Sequence, residues 1–374
     1  MSYILLTWLL MPIWWPLALL RRFFRSMPRR IVIFEIAGIG DVVCSAHLFE
    51  QLRARYPVAE IDLVIDPIAA SLTPALPMIN RVIEFPYARQ RGLMGRLRLL
   101  QCCLGYDTAI CLIPSAAQLV AFCLAALPRR LAVLPAPLNN SYRSLRPLLT
   151  DVTLHKAGQY FLQTQAALIA ALGVQADASK RMATPQHDSN VPILAQSTNI
   201  GVLVSSGRAL KRIEPEKLAA IITQLLERSA PASTRIVLIG GPGDQALAQS
   251  IAAQLTPAQR AQVEDAVGRY ALNELPSLLI QLSMLIGVDS GVTHMADALG
   301  VPIVCVAGPV DLNEVYQTGE TRQRITADIP CYPCSTVFDT PNQCHAGHMA
   351  CLRQLNTDKV VQTALTLLAK VGKQ

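Results

Sequence analysis

The residues best suited to chemistry are Asp289, Ser290, Gly291 and His294, which follow the apolar run Leu285-Ile-Gly-Val288. The run reads as a buried strand passing directly into a helix near Val292. Such a junction leaves backbone N–H groups aimed at one spot, and the helix dipole adds partial positive charge there. That spot favours a phosphate. Asp289 or Ser290 can cap the helix, Gly291 admits a close approach to the backbone, and His294, one turn in, can donate to a phosphate. Alone, the segment reads as readily as an ordinary strand–helix turn of a doubly wound protein.

A second junction of this kind lies near the other end of the chain. Ile31-Val-Ile-Phe-Glu-Ile36 is a buried strand, Ala37-Gly38-Ile39-Gly40 a tight turn, and Asp41-Val42-Val43 opens a helix running to about Tyr56. Together the junctions resemble glycosyltransferase family 9, the family of the ADP-heptose:lipopolysaccharide heptosyltransferases. Its members carry a Gly-Asp-Val-Val motif after the first strand and turn, and a later Asp-Ser-Gly-x-x-His motif. The counterparts are Gly40-Asp41-Val42-Val43 and Asp289-Ser290-Gly291-Val292-Thr293-His294, and the likeness spans roughly residues 31 to 355. It implies an inverting transfer of a sugar, with ADP-heptose the donor and the lipopolysaccharide core or a similar anionic, membrane-associated glycolipid the acceptor. It also implies that no cofactor is required for catalysis, and the sequence offers no acidic pair suited to Mg²⁺.

Within that resemblance Asp41 is the expected general base, taking the acceptor hydroxyl's proton. On the residue alone, a plain helix cap is the commoner reading. Lys211 follows Ser205-Ser206-Gly207-Arg208-Ala209-Leu210 and can neutralise charge on a departing diphosphate, or can simply be a solvated loop lysine. Ser205, Ser206 and Gly207 can add phosphate donors. Gly240-Gly241-Pro242-Gly243-Asp244 resembles the family's Gly-rich turn, with Asp244 in reach of ribose, and Gly308 belongs to another such turn. Gly38, Gly40, Arg89, Arg91, Arg96 and Arg98 are expected on the acceptor side, although the arginines equally suit a solvated helix face. Three departures from the family pattern stand out. Glu35 replaces its usual Arg, His47 its usual Pro, and Ile213-Glu214-Pro215 lacks its Trp.

Cys331, Cys334, Cys344 and Cys351 form a Cys-x2-Cys-x9-Cys-x6-Cys cluster that could hold a structural zinc ion, or remain free thiols. The other six cysteines sit in apolar surroundings, as reduced buried thiols do.

The elements that must position these groups follow from pattern. At 374 residues and 52% apolar composition, two or three well-filled domains are expected. Strands are predicted at 59–66, 81–85, 106–113 and 130–134, with helices at 89–104, 116–126 and 157–172 and a loop over 135–155. After a polar stretch at 175–197 the pattern restarts: strands at 199–204, 235–239, 284–288 and 303–306, helices at 215–229, 244–254, 272–281, 293–299 and 357–368. Strands alternating with helices imply parallel sheets, and two Rossmann-like halves facing across a cleft make a GT-B fold. The expected domains are residues 31–180 for the acceptor, a linker at 181–198, 199–355 for the nucleotide sugar, and a C-terminal helix within 356–374.

Residues 1–30 are set apart. Tyr3 to Leu20 holds no charge over 18 residues and is followed by Arg21, Arg22, Arg25, Arg29 and Arg30. Without those five the net charge of +7 falls to about +2, which leaves no nucleic-acid footprint. Charge after the apolar run rather than before it argues against a cleaved signal peptide. The segment is expected to anchor the body on the cytoplasmic face of the bacterial inner membrane, whether it spans or lies in the plane. Two other functions fit the same architecture: a nucleotide-sugar epimerase, which needs no acceptor, and a non-catalytic, membrane-tethered nucleotide-sugar binder.

Overall fold

Among the described residues, twelve short strands are sorted into two sheets of six, each with its own helices. The computed structural model describes residues 2–371 apart from 25–26, 91, 184–187, 189, 196 and 230–233, and the chain divides into two units, Met1–Lys180 and Arg181–Gln374.

In the first unit the strands are β1 (Arg30–Glu35), β2 (Glu60–Ile65), β3 (Arg81–Glu84), β4 (Thr108–Cys111), β5 (Arg129–Ala136) and β6 (Asp151–Lys156). They pair in parallel in the order β3-β2-β1-β4-β5-β6. The helices are α1 (Ser2–Leu9), α2 (Met11–Phe24), α3 (Ile39–Arg55), α4 (Gly92–Gln101), α5 (Ala116–Leu124), α6 (Asn140–Leu145) and α7 (Phe161–Ala170). A central strand buried on both faces must be apolar throughout, and Ile31, Val32, Ile33 and Phe34 are each at most 1% exposed. Burying each such side chain is worth roughly 1.5–3 kcal/mol. Helix α3 covers the sheet with Val42, Val43, Ala46, Phe49 and Leu52, a stripe at helical spacing.

The second unit repeats the plan. Its strands are β7 (Thr198–Leu203), β8 (Thr234–Ile239), β9 (Val263–Asp265), β10 (Met284–Val288), β11 (Ile303–Val306) and β12 (Arg322–Ile325), ordered β12-β11-β10-β7-β8-β9. Its helices are α8 (Pro215–Arg228), α9 (Gln245–Ala253), α10 (Pro257–Arg260), α11 (Leu275–Leu279), α12 (Gly291–Ala298), α13 (Leu312–Val315), α14 (Ala350–Arg353) and α15 (Thr357–Val371).

Both orders are the doubly wound 3-2-1-4-5-6 arrangement, in which successive connections turn opposite ways on either side of one strand pair. The carboxyl ends of that pair open a crevice for ligands. The pair is β1 and β4 in the first unit, and β7 and β10 in the second.

The structure corrects the expected elements at several points. Residues 135–155 are not one loop, since they hold α6 and most of β6. Strands β9 and β12 were not expected. Helix α3 starts at Ile39, so Gly40 lies inside it and not in a turn. The apolar N-terminus is two helices bent by 67°, and no single described helix is long and apolar enough to cross a membrane. The break falls at Leu10, where Pro12 cannot donate the N–H that would bond the carbonyl of Trp8.

Candidate active site

The candidate site of the second unit is built on its switch point. After β7 the chain runs through Ser205 and Ser206 to a short 3-10 turn, Ala209–Lys211; after β10 it runs through Asp289 into α12. These loops meet through charge. The Lys211 ammonium forms an ion pair with Asp289 Oδ2, and His294 Nε2 lies 2.9 Å from Asp289 Oδ1. The Asp289 side chain is only 9% exposed. Burial opposes its ionisation, but the Lys211 ammonium and the His294 ring outweigh that and hold the carboxyl well below the usual carboxylate range.

Helix α12 begins as its sequence dictates. Ser290 is the N-cap, and its Oγ accepts the Thr293 N–H at 3.2 Å. Thr293 Oγ1 donates to the Val288 carbonyl at 2.7 Å, tying the first turn to β10. A Cβ on Gly287 would come within 2.7 Å of that hydroxyl, so glycine lets the turn pack on the strand. His294 stacks on Tyr316 with ring centroids 4.6 Å apart and planes 9° from parallel. The sequence reading missed Tyr316, which follows α13 and carries no motif. Only the fold reveals it.

The other expected donor residues are placed as follows. Ser205 and Ser206 are buried, and their hydroxyls donate to the carbonyls of Ser206 at 3.3 Å and Arg208 at 2.9 Å. Gly207 is exposed, with open space where a side chain would be. Asp244 Oδ2 accepts the Gly241 N–H at 2.8 Å and so caps its own turn. Gly240 packs on Val204. Gly308, with φ of +54°, faces Leu352 and the cysteine-rich segment. Ile213, in the stretch that lacks the family's Trp, is buried in the core.

In the first unit Asp41 stands in the first turn of α3, partly exposed, beside the switch point of its sheet. Its Oδ2 accepts the Gly38 N–H at 2.8 Å, so it caps the turn. Glu35, which stands where the family usually has Arg, lies at the carboxyl end of β1. It is fully buried, 3.5 Å from Ser45 Oγ. Burial above all, with the neighbouring Asp41 charge, pushes its carboxyl well above the usual range. His47 is taken up by Glu50 at 2.9 Å and Asp177 at 3.4 Å.

The arginines expected on the acceptor side are placed as follows. Arg89 and Arg98 are exposed, Arg96 lies over the Tyr3 ring at 4.0 Å, and Arg91 lies outside the described residues.

Of the two readings of Cys331, Cys334, Cys344 and Cys351, structural zinc finds no assembled site among the described residues. Among the described residues no three His, Cys, Asp or Glu side chains are grouped to hold a metal ion, and all four cysteines are free thiols. They line one cavity of ≈ 20 Å³ whose wall they share with apolar Leu210, Pro309 and Ile329. Cys344 differs from the rest: backbone N–H groups, that of Met349 foremost, hold its thiol below the ordinary range.

Chemically, the second unit offers a lysine and a histidine fixed by one carboxylate beside a helix N-terminus, a group suited to a diphosphate. The first offers a carboxylate at a helix start beside the switch point of its sheet.

Comparison with known proteins shows the family. Residues 125–345 match the profile of glycosyltransferase family 9 (heptosyltransferase), a stretch that contains the Asp289–His294 motif and begins beyond Asp41. Lipopolysaccharide heptosyltransferase 2 of Escherichia coli (strain K12) is 24% identical over 301 residues, covering 75% of this chain and 83% of that protein. Among solved structures, the family 9 glycosyl transferase of Veillonella parvula DSM 2008 superposes with a TM-score of 0.69 at 21% identity, over 91% of this chain and 98% of that one. The E. coli heptosyltransferase WaaC with ADP superposes with a TM-score of 0.64 at 17% identity, over 90% and 99%.

Proposed function

This chain belongs to glycosyltransferase family 9, and on that premise we propose that it transfers heptose from ADP-heptose, with inversion and without a metal, to the lipopolysaccharide core or a similar anionic glycolipid at the cytoplasmic face of the inner membrane. The single observation that carries the reading is the Lys211–Asp289–His294 group across the switch point of the second sheet, beside the start of α12. The donor is proposed as ADP-linked because the relatives are heptosyltransferases, one of them solved with ADP.

In the proposed reaction the acceptor hydroxyl oxygen attacks the anomeric carbon as the bond from that carbon to the β-phosphate oxygen breaks. The hydroxyl proton passes to Asp41, and ADP leaves with the bonding electrons. Charge on the departing diphosphate is met by the Lys211 ammonium, His294 and the N–H groups of Gly291 and its neighbours. Asp289 touches neither reacting atom; it holds Lys211 and His294 in place. The first unit thus supplies the base and receives the acceptor, and the second holds the donor.

The test is transfer itself. Purified protein is incubated with ADP-heptose and a heptose-deficient lipopolysaccharide acceptor, with UDP- and GDP-sugars as controls. ADP-heptose should be consumed only when acceptor is present, and a chelator should leave the rate unchanged. Turnover without acceptor would make the chain an epimerase; donor binding without any turnover would make it a binding protein.

A further inference from the structure

We propose that α1, α2 and α4 form one membrane-docking face that lies in the plane of an anionic bilayer and does not cross it. The proposal deepens the membrane placement given above and rests on it, but it is independent of the sugar transferred.

The inner side of the N-terminal hairpin is bound to the protein body. Ile4, Trp14 and Ala18 are buried in the core around α5. Trp14 Nε1 donates to the Thr7 carbonyl at 2.9 Å, and Trp8 Nε1 to Ser144 at 3.2 Å. Arg21 donates to the carbonyls of Tyr106, Ala125 and Ala126 at 2.7, 3.1 and 3.1 Å. Threading this segment through a bilayer would break the Trp8 and Arg21 contacts with the body, and its 67° bend already shortens its reach.

The outer side is apolar and open. Leu9, Ile13, Phe23 and Phe24 are 67, 71, 83 and 74% exposed. Helix α4 adds Leu93 and Met94, at 70 and 68%, and packs beside α1, where Arg96 covers the Tyr3 ring. So much exposed apolar area on adjoining helices marks an interaction surface.

Charge selects the occupant. Residues 1–34 and 85–106 contain no Asp or Glu, while Arg22, Arg29, Arg89 and Arg98 are exposed in these stretches. Insertion of the apolar edge with arginines at the head groups is how in-plane helices bind anionic lipid.

All three tryptophans lie in this segment, so intrinsic fluorescence reports its depth without a label. The full chain should float with vesicles of phosphatidylglycerol and phosphatidylcholine, and bind pure phosphatidylcholine far less. Lipids brominated near the head group should quench the tryptophans more than lipids brominated near the chain ends. Leu93→Asp with Met94→Asp, and separately Phe23→Asp with Phe24→Asp, should each weaken binding at least about tenfold while melting temperature and transfer to a soluble acceptor fragment stay unchanged. Strongest quenching at the chain ends would mean a spanning segment and overturn the proposal. So would loss of binding in the α2 pair but not the α4 pair, or a stable lipid-free dimer that the same substitutions dissociate. Transfer without vesicle binding would sink this inference alone; vesicle binding without transfer would sink the heptosyltransferase reading alone.

Discussion

Lys211 and Asp289, 78 residues apart in the chain, form an ion pair between the loops that leave neighbouring strands β7 and β10. The pair converts two separate sequence motifs into one unit, because His294 rests on the carboxylate's other oxygen. Lys211→Ala should therefore lower kcat by about 10²–10³-fold, the usual cost of one group aimed at developing charge. Asp289→Asn should do much of the same harm without touching substrate, and the double variant should lose less than the two effects added. Steady-state kinetics on the four proteins decides it; additive losses would show that Asp289 does not position Lys211.

The same carboxylate should set the acid limit of folding. Its folded pKa lies below its unfolded one, so its contribution is complete above the ordinary carboxylate value, about 3.9, and fades as pH falls below that. Asp289→Asn leaves the Lys211 charge without its partner and should cost about 3–5 kcal/mol at neutral pH. It should also flatten the acid limb of a stability–pH curve measured by urea unfolding. An unchanged limb would mean that other carboxylates govern acid unfolding.

Asp41→Asn separates capping from catalysis. The amide oxygen can still accept the Gly38 N–H, so the melting temperature should stay within a few degrees, but an amide cannot take a proton. Transfer should fall by about 10²–10⁴-fold with KM for the donor little changed. Normal turnover by a folded Asp41→Asn protein would remove Asp41 from the mechanism.

The glycines near the proposed donor site differ in what they do. A Cβ on Gly240 would stand 2.7 Å from Val204 Cγ2 and 3.1 Å from Asp244 Oδ2, whereas one on Gly207 would meet nothing within 4 Å. Val204 is buried and cannot yield. Gly240→Ala should destabilise the protein by roughly 1–3 kcal/mol, and Gly207→Ala should be neutral or slightly stabilising. Thermal unfolding of the two variants gives the comparison.

How far the sequence could be read follows from where each strand lies. Strands β1, β2, β5, β7, β8, β10 and β11 announce themselves as apolar runs because a central strand is covered on both faces. The strands missed or taken for loop, β6, β9 and β12, are all sheet edges. An edge strand owes its place to backbone pairing with one neighbour, so β9 can be Val-Glu-Asp and β12 Arg-Gln-Arg-Ile without losing its position. The site divides in the same way. Asp41, Asp289, Ser290 and His294 are legible because strand–turn–helix junctions have local signatures. The stacking of Tyr316 on His294, and the removal of Arg96 to Tyr3, depend on packing between segments far apart in the chain, and no local pattern encodes them.

Glu35 shows what the protein tolerates for the sake of its first junction. Its carboxyl is buried at the end of β1, with Oε1 unpartnered among the described residues, and burial, with the nearby Asp41 charge, raises it well above the usual carboxylate range. Below its unfolded value, about 4.3, the side chain is neutral in both states and imposes no charge penalty. As pH rises above that, the unfolded chain gains by ionising and the folded state does not, so stability falls until the raised folded value is passed. Glu35→Gln removes the titration with little change of shape. The variant should match the parent near pH 4, lack its decline as pH rises towards 7, and so be the more stable of the two there. Parallel stability curves for the two proteins across that interval would show instead that Glu35 ionises freely in the folded chain.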